Sequence, residues 1–339
     1  MLKPSLMLSF DDVWLEPRYS EVPSRSTPNL QSKLSSTVTL SNPVIASNMA
    51  SVVGEKMALT FNDYGSLAFM HRFMSHEVLC TLAETHKDKM KHFAFSVGIK
   101  KEDLELAKEM YDILGDKAII LVDIAHGHSL NMGKFVSEIK KIGYHTVVAG
   151  NVATAKGYDF LVDHGADAVR VGVAGGKACT TKYVTGHHIP TLQSVYECAK
   201  NSKNVAPIIA DGGIKNSGDA VKCLALGASF VCLGSVLAST SESPSNIIMI
   251  DNVPHKEYFG MSSDRAIQEY FTGRKTHVAP EGKTLHLPYS GETRNFLDNF
   301  LAGIRSGLTY SGVDNIEDFQ NKSVVRYSAS KHHYPESES

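Results

Sequence analysis

The sequence has no CxxC spacing, and its five cysteines, Cys80, Cys179, Cys198, Cys223 and Cys232, are an odd number spread over 339 residues. Both facts argue against a disulfide framework and a zinc ribbon. There is no excess charge of either sign. Lys and Arg number 34 against 36 Asp and Glu, a formal net charge of −2. General affinity for nucleic acid or for a membrane surface is therefore not expected. A phosphorylated small molecule would need only a local positive site. No apolar window approaches the length of a membrane span. Residues 1–12 lack the apolar stretch of a signal peptide, so the expectation is a cytoplasmic protein. No GxGxxG follows the first apolar run, which speaks against an open dinucleotide-binding sheet.

What the chain does have is a rhythm. Short apolar runs occur at 43–47, 65–70, 94–98, 118–123, 146–150, 168–172, 207–211 and 229–234. They are continuous rather than alternating, as in parallel strands buried on both faces. Between them lie charged segments with helical spacing, for example 102–114, 130–142 and 217–226. Eight strands alternating with helices predict an α/β fold, a (β/α)8 TIM barrel forming one domain over 1–339. The first 40 residues, broken by Pro4, Pro17, Pro23 and Pro28, read as an extended arm with one short hairpin covering an end of the barrel. After the eighth run the rhythm fails. Residues 239–290 read as a long insertion with little periodicity, placed where a barrel builds its active site. A helix is expected at 295–305, and the polar tail 328–339 is expected to be disordered.

The stretch Gly172-Val173-Ala174-Gly175-Gly176-Lys177-Ala178-Cys179-Thr180-Thr181 follows the sixth run. Its glycines permit a sharp turn and a close backbone approach. Cys179 at its end reads either as a nucleophile or as a small buried hydrophobe. Strand ends share one face of a barrel. That face would gather Asn48 and Met49, His71 and Arg72, Asp123, Asn151, the Cys179 loop, Asp211-Gly212-Gly213 and Gly234-Ser235. The last two turns occupy the usual phosphate-binding corner, with Asp211 suited to ribose hydroxyls. Asp123 with His126 and His128 reads as a thin metal signal or, more simply, as a polar helix start. His187 or His188 reads as a base for the thiol or as an exposed loop pair.

These residues carry a resemblance. Leu8-Ser9-Phe10-Asp11-Asp12-Val13, Asn48-Met49, Met70-His71-Arg72, Asp123-Ile124-Ala125-His126-Gly127, Ala149-Gly150-Asn151-Val152, Cys179-Thr180-Thr181, Ala210-Asp211-Gly212-Gly213-Ile214 and Tyr258-Phe259-Gly260-Met261-Ser262-Ser263 resemble the IMP dehydrogenase/GMP reductase family from about residue 8 to 326. Cys179-Thr180-Thr181-Lys182 and Glu281-Gly282-Lys283-Thr284 look more like its reductase branch. About one helix separates His71 from the next strand, so the paired CBS domains common in the dehydrogenases are not expected. No Arg-Tyr pair of the dehydrogenase flap lies between Met261 and Glu281.

The resemblance implies NADPH-dependent reductive deamination of GMP to IMP and ammonia, a step of purine salvage. Cys179 would attack C2 of GMP to give a thioimidate, with Thr181 and Glu281 moving protons. Asp211, Gly212, Gly213, Gly234, Ser235, Met261, Ser262, Ser263 and Gly282 would line the nucleotide. Asp123, Ile124, Ala125, Ser306, Gly307, Leu308 and Thr309 would lie near the cofactor. Carbonyls of Ala174, Gly176 and Cys179 would bind a monovalent cation, K+, and the protein would be a homotetramer. Within the same family, an IMP dehydrogenase without CBS domains and a nucleotide-binding barrel without catalysis are the alternatives. The chain departs from the family at Ala174-Gly175-Gly176, where Gly-Pro-Gly is usual, and at Ala50, Val278 and His187-His188-Ile189-Pro190.

Overall fold

The computed structural model describes residues 6–270 and 279–327; the tail 328–339 and Val278 lie outside them. All eight apolar runs are strands of one parallel sheet. They are β1 (Val44–Ala46), β2 (Leu67–Ala68), β3 (Phe93–Val97), β4 (Ala118–Asp123), β5 (Thr146–Val152), β6 (Ala168–Val171), β7 (Ile208–Asp211) and β8 (Phe230–Leu233). Each pairs with the next except β2 with β3, and β8 returns to β1. The ring closes through Met70, whose amide donates to Ala94 O and which bridges Phe95.

The continuous apolar runs follow from burial on both faces. In β4, Ile119 and Leu121 point into the barrel, while Ala118, Ile120 and Val122 meet the helices. Eight helices carry the crossovers and the loop after β6: α1 (Glu55–Asp63), α2 (His76–His86), α3 (Lys101–Leu114), α4 (Leu130–Ile142), α5 (Ala155–Asp163), α6 (Thr181–Thr185), α7 (Thr191–Asn201) and α8 (Ser217–Ala225). Only α2 separates the β2 end from β3, leaving no room there for a CBS pair. Among the described residues no helix is long and apolar enough to cross a membrane.

The arm contains a hairpin, Ser32–Lys33 with Thr39–Leu40. Leu34, Val38 and Leu40 of this hairpin join the interior cluster with Ile45, Phe69 and Phe230. The hairpin thus plugs the end of the barrel opposite the strand C-termini. Two features were not legible in the sequence. Val13–Leu15 pairs antiparallel with Val325–Tyr327, tying the two ends of the chain together. The insertion, expected to be irregular, follows the short helix α9 (Ser235–Ala238) and builds a three-stranded antiparallel sheet. Its strands are β9 (Ile247–Ile250), β10 (Val253–Phe259) and β11 (Thr284–Pro288), with α10 (Asp264–Tyr270) between the last two. Lys256 is buried at its base and donates to the carbonyls of Thr240, Ser241 and Ser243. The helix expected at 295–305 runs longer, as α11 (Thr293–Tyr310), and is followed by α12 (Ile316–Lys322).

Candidate active site

The strand ends meet around a side chain that sequence reading passed over as part of a strand. Arg170, at 7 % exposure, stands at the end of β6. One guanidinium nitrogen, Nη1, donates to Asn48 Oδ1 at 2.6 Å and Asp123 Oδ1 at 3.3 Å. Nη2 donates to Ser47 Oγ at 3.1 Å and lies 3.1 Å from Asp211 Oδ2. Burial works against its charge, but Asp211 and Asp123 outweigh that and hold the guanidinium above its ordinary value. An unpaired charge here would carry a large desolvation cost, so the two carboxylates and the arginine form one unit. The missed signal was a lone arginine inside an apolar run, a residue almost never buried unless paired.

Asn151 joins this unit. Its Nδ2 donates to Gly172 O and to Asp211 Oδ2, both at 2.7 Å. The buried Oδ1 of Asn151 is without a partner in the described protein. The loops after β6 and β7 are in close backbone contact. Gly172 has φ +144°, and a Cβ there would fall 2.0 Å from Asp211 O. Gly212 has φ +98°, and its Cβ would lie 3.0 Å from Gly175 C and Gly176 N. Only glycine tolerates both the dihedral and the approach.

Cys179 is half-buried in the turn that follows. Its thiol donates to Thr181 Oγ1 at 3.2 Å, and the Thr181 hydroxyl donates to Glu281 Oε2 at 2.7 Å. Backbone contacts fix this line. Thr180 N–H donates to Glu281 O, Lys283 N–H to Ala178 O, and Glu281 N–H to Ser262 O. Gly282 bridges both Cys179 and Ser263, so segments 178–181, 260–263 and 281–283 lie side by side. The histidines weighed as bases are elsewhere. His188 Nδ1 sits 3.1 Å from Val173 O, and His187 is exposed with Nδ1 at Thr185 O. The partner of the thiol is a hydroxyl, not an imidazole. The other four thiols are buried. Burial pushes Cys80 up to about 11, Cys198 and Cys232 to about 12, and Cys223 higher still. These are protonated, inert groups.

Gly234 and Ser235 face β10. The Tyr258 hydroxyl lies 3.2 Å from where a Gly234 Cβ would be and donates to Met49 Sδ at 3.6 Å. Tyr258 entered the sequence analysis only as part of the resemblance motif, with no site role; its place behind the Gly234 turn comes from the insertion sheet. Met261 is held by the Ala50 amide, which donates to its Sδ. Asp123 is engaged by arginines, since Arg72 Nε also lies 3.7 Å from its Oδ2. That removes it from the metal reading with His126 and His128. His128 packs instead on Phe160. Among the described residues no group of three or more His, Cys, Asp or Glu is gathered for a metal.

Ser306 to Thr309 are not brought to Asp123, Ile124 and Ala125 within the chain. They form the C-terminal turns of α11, which packs along α8. Leu308 is fully buried, and Gly307 packs on Val221 of α8.

His71, at 6 % exposure, closes the β2 end, with Nδ1 unpartnered. Burial pushes its pKa down to about 4. A histidine depressed in the folded state gives stability that is complete above about pH 6.5 and is lost as the pH falls toward 4. The expected loss over that window from this residue is roughly 3 kcal/mol. His71→Phe keeps the ring but takes no proton. Urea unfolding at pH 7 and pH 4 is expected to show a smaller difference in this variant than in the native chain.

A profile described as "IMP dehydrogenase / GMP reductase domain" matches residues 7–338. GMP reductase 1 of Mus musculus is 34% identical over 325 residues, covering 94% of each chain. GMP reductase 2 of Homo sapiens is 34% identical over 323 residues, covering 94% of this chain and 93% of its own. The GMP reductase of Vibrio atlanticus is 32% identical over 330 residues, 95% of each chain. With the barrel, the cysteine loop and the glycine turns after β7 and β8 in place, this likeness along nearly the whole length means that the chain belongs to the IMP dehydrogenase/GMP reductase family.

Proposed function

We propose that the protein is an NADPH-dependent GMP reductase that converts GMP to IMP and ammonia. The observation that carries this reading is the hydrogen-bonded line from Cys179 through Thr181 to Glu281. A thiol that can pass its proton through a hydroxyl to a carboxylate becomes a thiolate at the moment it attacks. The thiolate adds to C2 of GMP. Glu281, having gained the proton through Thr181, returns it to the departing amine, and ammonia leaves a Cys179 thioimidate. NADPH, when bound, supplies a hydride to C2; the C–S bond then breaks and IMP is released. The balance is GMP + NADPH + 2H+ giving IMP + NADP+ + NH4+.

Asp211 is oriented for the ribose by Asn151 and Arg170. Gly212, Gly213, Gly234, Ser235 and the Tyr258 hydroxyl surround the phosphate, while Met261, Ser262, Ser263 and Gly282 line the base. Asp123, Ile124 and Ala125 take the cofactor side. Ser306 to Thr309 would reach a cofactor from a neighbouring subunit of a homotetramer. The carbonyls of Ala174, Gly176 and Cys179 would hold K+. Neutral carbonyl oxygens suit a monovalent ion, and among the described residues no acidic cluster competes as a divalent site. A cation there would stiffen the turn that presents the thiol.

The test follows the hydride. With GMP and NADPH deuterated at the transferable position, the IMP formed is expected to gain one mass unit at C2. IMP that forms without the label would refute the reading. NAD+ reduction with IMP, and none of NADPH consumption with GMP, would assign the chain to the dehydrogenase branch instead.

A further inference from the structure

The insertion touches the barrel mouth through a small aromatic cluster that the proposed chemistry does not use. Tyr270, the last residue of α10, packs edge-on against the His71 ring with centroids 5.8 Å apart. It also meets Phe73 at 5.8 Å. Behind it, α10 is fastened to the insertion sheet. Arg265 lies 3.5 Å from Glu257 of β10 and 3.4 Å from Glu269. Ala266 is fully buried with Phe259 and Ala50. Tyr270 is thus the end of the helix that meets the β2 loop.

That loop leads to the cofactor side of the site. Arg72 lies over the Phe73 ring, 4.5 Å from its centroid. Its buried Nε has no hydrogen-bond acceptor in the described protein, and the nearest carboxylate oxygen, Asp123 Oδ2, is 3.7 Å away. The guanidinium is therefore held in place by a ring face and set within ion-pair range of the carboxylate, without a direct bond. Edge and face contacts between rings and a guanidinium depend on orientation. A shift of Tyr270 would tilt Phe73, and with it the arginine.

We propose that Tyr270 and Phe73 are positioning residues: docking of α10 on the β2 loop orients Arg72 against Asp123 and so shapes the cofactor half of the site, leaving the nucleotide half untouched. This deepens the reductase reading and rests on it for its kinetic arm. It assigns the insertion two duties, carried by Met261 and Tyr270, which both pack on one cluster of Ala50, Phe259 and Ala266. The β10 side and residues 260–263 serve the nucleotide and the thiol. The α10 end serves the cofactor.

The experiment compares the native chain with Tyr270→Ala, Tyr270→Phe and Phe73→Leu. The losses expected for Tyr270→Ala and Phe73→Leu are each about tenfold in the KM for NADPH, with the KM for GMP changed less than about twofold. Tyr270→Phe keeps the ring and should return the cofactor KM to near the native value. A second readout does not depend on turnover. Amide hydrogen exchange at Ile267, whose N–H donates to Ser263 O, should quicken in Tyr270→Ala and stay slow in Tyr270→Phe. Faster exchange in a chain that fails to oxidise NADPH with GMP would keep the docking contact and remove the reductase reading. Unchanged exchange and unchanged NADPH KM in Tyr270→Ala would overturn the proposal. So would equal rises in both KM values, or a Tyr270→Phe variant as impaired as the alanine.

Discussion

Cys179→Ala is expected to lower GMP-dependent NADPH oxidation by on the order of 10⁴-fold or more, the scale of loss when a covalent nucleophile is removed. The melting temperature should barely move, because the side chain is half-buried and the change removes a single sulfur. GMP should still bind, since the turns at Gly212-Gly213 and Gly234-Ser235 are untouched. The other cysteines supply the control. Cys198 and Cys223 are fully buried behind the strands, so Cys198→Ala should cost stability and leave kcat near native. A steady-state assay paired with a thermal melt separates the two patterns. Thr181→Val refines the argument. It keeps the shape but cuts the line between thiol and carboxylate, so kcat should fall while the GMP KM holds, the signature of an interaction used in the chemical step.

Arg170→Met has the second large effect, and it appears first in stability. The substitution leaves the part-buried carboxylates of Asp123 and Asp211 without their shared counter-charge. Breaking a buried ion pair by removing one partner typically costs about 3–5 kcal/mol, and urea unfolding should register a loss of that size. If Asp211 serves the nucleotide and Asp123 the cofactor, as proposed, both KM values should rise together, because Arg170 contacts both carboxylates. Adding Asp211→Asn to Arg170→Met should cost less than the sum of the single changes, since one unpaired charge is then gone. Additive losses would mean that the arginine and the carboxylate act independently.

The barrel could be read in the sequence because strands covered on both faces must be apolar throughout, a pattern that survives in each of the eight runs. The positions of Cys179, Asp211 and Gly234 followed from the rule that strand C-termini share one face. What was hidden has a physical reason in each case. Arg170 sits inside an apolar run, and nothing local tells that its partners arrive from β1, β4 and β7. The pairing of Val13–Leu15 with Val325–Tyr327 joins segments more than 300 residues apart, beyond the reach of any spacing argument. The insertion strands are short, and β9 shows Ile247, Ile248 and Met249 to solvent, so no alternation marks them. A proton-moving role for Thr181 came from the family resemblance, whereas local reading left His187 or His188 open as a base for the thiol or as an exposed loop pair. Those imidazoles are nearer in sequence to a catalytic role than in space.

In the proposed reaction GMP, not IMP, is the substrate, and its amino group leaves as ammonia. The direct measurement is the stoichiometry of NADPH consumed, followed at 340 nm, against ammonia and IMP formed from GMP. One ammonia and one IMP for each NADPH is the predicted result. NADPH left intact in the presence of GMP, with IMP oxidised by NAD+, would contradict it.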